Sequence, residues 1–155
     1  MAGHRATIEW TSSAAAADFA KGKYTREHAW TFDGGVRVPA SASPSVVPAP
    51  WSNPANVDPE EAYVAAISSC HMLSFLYVAS KAGFVVEAYR DDAIGTMTKN
   101  DRGVPWVAKV TLAPQIRWGE RRPSIEEEDR LHEAAHHGCF IAQSVKTEIT
   151  VTPVR

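Results

Sequence analysis

Cysteine is scarce in this chain, with two in 155 residues. Two thiols cannot build a disulfide scaffold, and a chain of this length forms one ordinary core without covalent staples. An excess of either charge is also missing. A formal net charge of -2 offers no electrostatic footprint for nucleic acid or an anionic bilayer. The N-terminal MAGHRATIEW lacks the basic stretch and apolar run of a secretory signal, and polar residues interrupt each apolar stretch before it reaches bilayer length. These absences predict one domain over residues 1–155, a cytoplasmic location, no membrane and no nucleic-acid partner. In a reducing compartment a disulfide is transient, and either catalytic or sensing.

What the chain does contain is a clear alternation of elements. Residues 4 to 11 place Ala6, Ile8 and Trp10 at the period of two of a half-buried strand. After a small-residue loop, residues 23 to 32 put Tyr24, Arg26, His28, Trp30 and Phe32 on one strand face. Asp33-Gly34-Gly35 is a hairpin signal with a return strand from residue 36. Residues 39 to 57 are rich in proline and read as a long ordered loop.

Asp58-Pro59-Glu60-Glu61 carries the signals of a helix start: a capping carboxylate, proline at the first position, and a glutamate that bonds back to the cap. Lys81 and Gly83 close that helix. Its apolar residues lie all round the axis, as in a helix buried on most sides, which in a small domain predicts cover from a second subunit. Two strands follow, over residues 84 to 97 and 106 to 118, with Trp106, Ala108, Val110 and Leu112 facing inward. Ser124 and Glu127 form a capping box for a second helix, which Gly138 interrupts just before Cys139, and residues 147 to 152 make a last strand. The expected class is α+β with an antiparallel sheet and two main helices.

Each cysteine falls in one of the two helical segments. A sulfur in an apolar helix is inert unless a cation favours its thiolate. Arg26, on an aromatic face, is the leading candidate for that cation because a half-desolvated guanidinium must find an anionic partner; Lys23 is the alternative.

The segments DPEEAYVAAISSC and AAHHGCFIAQS resemble the two cysteine motifs of the OsmC/Ohr family, the osmotically inducible and organic hydroperoxide resistance proteins. The resemblance implies an intertwined α+β homodimer acting as a thiol peroxidase on organic hydroperoxides. It implies that Cys70 is peroxidatic and Cys139 resolving, that the two form a disulfide during turnover, and that Arg26 and Glu60 complete the site. Glu60 matches the glutamate of the family's N-P-E motif, with Asp58 in place of its asparagine. Glu60 and Cys70 stand ten residues apart on one helix, about 15 Å along its axis, so Glu60 is expected to serve a site in the partner subunit. The reductant implied is an external dithiol or a lipoylated protein, with no bound cofactor. Phe75, Trp51 and Phe140 are expected to wall the site for alkyl substrates. Phe140, where many members have proline, and His71, in place of an apolar residue, mark a divergent branch.

The alternative reading is a non-catalytic protein of the same fold that binds a hydrophobic small molecule and keeps its thiols reduced. His71, His136 and His137 with the two cysteines offer donors for tetrahedral zinc, but no compact C-x-x-C or H-x-x-x-H spacing joins that set, so no metal is expected.

Overall fold

The computed structural model describes residues 3–155, in two compact units that meet inside one long helix: the chain up to Ala62, and Tyr63–Arg155. In the first unit β1 (Ala6–Glu9), β2 (His28–Phe32) and β3 (Arg37–Ala40) form an antiparallel meander. The Asp33-Gly34-Gly35 turn is present, with Gly35 at φ 84° and the Phe32 N–H donating to Val36. Three expectations change here. A short helix, α1 (Ala16–Ala20), occupies the segment read as a loop. β1 exposes all four of its residues instead of burying one face. And β2 begins at His28, so Arg26 is not on a strand.

Helix α2 (Pro59–Lys81) starts as its sequence dictates. The Glu61 amide donates to the Asp58 carboxylate at 2.8 Å, and the Asp58 amide to the Glu61 carboxylate at 3.1 Å. It ends with Gly83 at φ 79° and the Phe84 amide reaching back to the Ala79 carbonyl, a closure that glycine permits without strain. By length and composition alone α2 could cross a bilayer, contrary to the expectation that no stretch could. In the second unit it serves as a core element, though by one stripe only: Ile67, His71, Phe75 and Ala79, each four residues on from the last, are buried. Leu73 and Tyr77 are 61% and 64% exposed. The chain alone therefore does not bury this helix on most sides.

The two long strands are each broken in two. β4 (Val86–Asp91) pairs with β7 (Pro114–Trp118), while β5 (Ile94–Lys99) pairs with β6 (Pro105–Leu112). Asp91 sits at the break, accepting from the Ala113 amide at 2.7 Å and from the Ser68 hydroxyl of α2 at 2.5 Å. A carboxylate spent on these donors fixes the point where the chain leaves one sheet for the other. β8 (Glu148–Val151) adds to β6 in parallel, so the β structure is not wholly antiparallel.

Helix α3 (Ile125–Gly138) opens with its Ser124/Glu127 capping box in place. A 3-10 turn, Ala142–Ser144, follows it. The core of the second unit has two parts. Phe75, Ala79, Phe84, Leu131 and Ala135 form one, and Ile67, Val110 and Leu112 the other. α2 approaches β5 so closely that a Cβ on Gly95 would stand 2.6 Å from the Val64 side chain. The α+β class holds, with the parallel pair and the extra helix as additions.

Candidate functional site

The two sulfurs come together in the second unit. Cys70 is half-buried at mid-helix in α2, and Cys139, 1% exposed, is the residue that caps the end of α3. Both are free thiols. Gly138 ends the helix, and the chain then curls so that the Cys139 carbonyl accepts from the Gln143 amide at 3.1 Å. Two amides of this curl point at sulfur: Ile141 donates to Cys70 Sγ at 3.4 Å, and Ala142 donates to Cys139 Sγ at 3.3 Å. Cys139 itself is extended, and the 3-10 turn begins three residues later at Ala142. The curl is pinned further by the Ser144 hydroxyl on the Phe140 carbonyl at 2.7 Å.

The electrostatics separate the two thiols. Burial pushes Cys139 up to about 11, and its hydrogen bond to Cys70 and the proximity of a charged Cys70 push the same way, against a smaller downward pull from the Ala142 amide. Cys139 therefore keeps its proton at neutral pH. Cys70 is the more accessible of the two and accepts from the Ile141 amide.

Arg26 and Glu60 both lie in the first unit. The Arg26 guanidinium folds back on its own segment: Nη1 donates to the Gly22 carbonyl at 2.8 Å and the Tyr24 carbonyl at 2.5 Å, and the group lies 3.7 Å from the Tyr24 ring centroid. Among the described residues no ion pair joins Arg26 to Glu60. Lys23 is exposed. Glu60 sits in the first turn of α2, where its charge also favours the helix dipole.

Of the three expected apolar walls, Phe75 is a core residue. It is fully buried, stacked on His132 at 4.3 Å and flanked by Tyr89 and Trp118. Phe140 stands 83% exposed on the curl. Trp51, in the first unit, gives its carbonyl to the Arg26 amide at 2.9 Å.

Sequence reasoning overlooked His132. Its ring Nδ1 lies 3.0 Å from His71 Nε2, with the two rings nearly parallel. Burial, then neighbouring positive charge, lowers both to about 4, so both are neutral near pH 7. The available signal was position: His132 falls on the buried stripe of α3 with Glu128, Leu131 and Ala135.

Residues 52–154 match the family of OsmC-like proteins. No curated protein matches the chain. An OsmC-like protein of unknown function from Vibrio cholerae is 46% identical, with 99% of this chain and 100% of that one covered and a TM-score of 0.93. An organic hydroperoxide resistance protein from Elizabethkingia anophelis, 19% identical over 99% of this chain and 94% of that one, superposes with a TM-score of 0.71. The organic hydroperoxide resistance protein OhrB of Bacillus subtilis, 17% identical over 97% and 98%, gives 0.67; these two likenesses show the fold. With two thirds of its length matched to the family and a near relative along its whole length, the chain belongs to the OsmC-like proteins.

Proposed function

We propose that the chain is a thiol-dependent peroxidase that reduces organic hydroperoxides to alcohols in oxidative-stress defence. The observation that carries this reading is the pairing of the two sulfurs: Cys70 half-buried, and Cys139 held protonated within hydrogen-bonding range of it. The Cys70 thiolate attacks the terminal peroxide oxygen and the O–O bond breaks. Cys70 becomes a sulfenic acid, and the departing alkoxide takes a proton to leave as alcohol. The Cys139 thiol then displaces the sulfenic hydroxyl. Its proton leaves with that hydroxyl as water, and a Cys70–Cys139 disulfide remains. An external dithiol, small or lipoyl-type, returns both sulfurs to thiols by exchange.

Arg26 supplies the cation that favours the Cys70 thiolate, with Glu60 of a partner subunit orienting it. Two of its five N–H donors are spent on backbone carbonyls, and Nε and Nη2 remain for a thiolate, a peroxide or a carboxylate. The apolar residues of α2 left exposed, Leu73 and Tyr77, support a homodimer in which a second copy covers that face. The protein is read as a single cytoplasmic domain of this fold.

One equivalent of cumene hydroperoxide added to the reduced protein is expected to lower its mass by two hydrogens. Cys70→Ser abolishes that loss, and Cys139→Ser retains a sulfenic acid. A wild-type mass unchanged by peroxide would overturn the reading in favour of a ligand-binding protein with inert thiols.

A further inference from the structure

Helix α3 carries a second constellation that the sulfur chemistry does not use. His132 and His136 are four residues apart and so lie on one helical face. The sequence between them, His132-Glu133-Ala134-Ala135-His136, is the H-E-x-x-H spacing that lets two imidazoles of one helix chelate a single metal ion. Both histidines line one cavity of about 430 Å³, together with Asp129 and Glu133 of the same helix and with Ile149 and Val151 of β8 opposite.

Spacing alone would be a weak argument, but the ring of His132 adds an independent one. His132 is only 4% exposed, and its Nε2 atom is buried with no hydrogen-bond partner. Its other nitrogen, Nδ1, faces His71 Nε2 at 3.0 Å. With the proton on Nδ1, His132 donates to His71 and leaves an Nε2 lone pair unpartnered. That is how a metal-binding imidazole is usually held: one nitrogen donates to a neighbour that fixes tautomer and ring orientation, and the other faces the metal. An unsatisfied buried nitrogen costs stability unless something fills its place.

The neighbours fit as well. His136 has no side-chain hydrogen bond among the described residues, whereas the His137 ring is spent on the Glu133 carbonyl at 2.8 Å. Arg155 pairs with Asp129, which lines the cavity, and with Glu128, and these carboxylates compensate its charge. Glu133 is exposed and has no ion pair among the described residues.

We propose that His132 and His136 form a chelate for a divalent transition-metal ion such as Zn²⁺, with His71 as the positioning residue behind His132. No three His, Cys, Asp or Glu side chains share a coordination shell among the described residues. The remaining positions therefore belong to water, which leaves the site open. Imidazole donors select zinc, copper, nickel or cobalt over calcium and magnesium, which take oxygen ligands.

The test uses the full chain carrying Cys70→Ser and Cys139→Ser, so that thiols cannot supply ligands, titrated with ZnCl2 by calorimetry and with CoCl2 by visible absorption. The expected result is one saturable equivalent, weakened at least tenfold by His136→Ala and tenfold to a hundredfold by His71→Phe. Nitrogen-15 spectra of the thiol-free protein without further substitution should show Zn²⁺ shifting the His132 and His136 ring signals and leaving His137 unmoved. That readout stands even if a histidine variant folds poorly. Absence of saturable binding, or binding that His136→Ala leaves intact, would overturn the proposal. It is independent of the peroxidase reading, which the mass measurement tests separately.

Discussion

Helices α2 and α3 belong to one chain and bury similar stripes, yet their outer faces differ. α3 buries Glu128, Leu131, His132 and Ala135 and turns Glu126, Asp129, Arg130 and Glu133 outward, so its sequence is complete within the chain. α2 buries four residues on one line and turns Leu73 and Tyr77 outward, apolar surface that water does not favour. A helix whose outside is polar is finished by folding. One whose outside is apolar is finished by association. One sulfur lies within α2 and the other at the end of α3, so the thiol pair joins an element with a polar outer face to one whose outer face carries exposed apolar side chains.

The sharpest way to break this contrast is to attack the stripe the helices share. Phe75→Ala removes a fully buried ring that packs on His132, Tyr89 and Trp118, and should cost about 3–5 kcal/mol in urea unfolding. A loss below about 1 kcal/mol would mean the ring does not hold α2 against α3.

Next in size is acid. In the folded protein His71 and His132 are lowered from 6.5 to about 4, by burial first, then by His136 on His71 and by His71 and Arg155 on His132, with Asp129 opposing. The unfolded chain therefore takes up these protons first. Their contribution is whole above pH 6.5 and is lost as pH falls through about 4. The loss is about 3 kcal/mol for one histidine, and less than twice that for the coupled pair. Urea midpoints of chelator-treated protein across that range check it, and His71→Phe should flatten the slope.

The smallest expected effect is on the outside of α2. Leu73→Glu should alter the unfolding free energy of the isolated chain by less than about 0.5 kcal/mol while shifting dimer to monomer in sedimentation. A penalty as large as that of Phe75→Ala would place this face inside the chain's own core.

What could be read from residues alone follows the range of the interactions. The helix starts at Asp58 and Ser124 were legible because capping is settled within four residues. α1 was not, since alanines without a capping side chain look like a loop. The strands over residues 84 to 97 and 106 to 118 were read as continuous because their propensity is continuous. Asp91 breaks the ladder through groups on α2 and at Ala113, which no local pattern shows. The parallel partner of β6 is a choice made nearly forty residues away in sequence. Arg26 was placed on a strand by alternation, but its amide is taken by the Trp51 carbonyl and its guanidinium by Gly22 and Tyr24. The meeting of Cys70 and Cys139 came from motif likeness, because spacing in sequence does not encode an approach between two helices.

Gly95 sets a limit on how far this scaffold can be altered. Even the smallest side chain there would collide with Val64 on the helix above, so a saturation library at that position should return glycine alone. Any redesign that needs bulk at this point has to begin by trimming Val64.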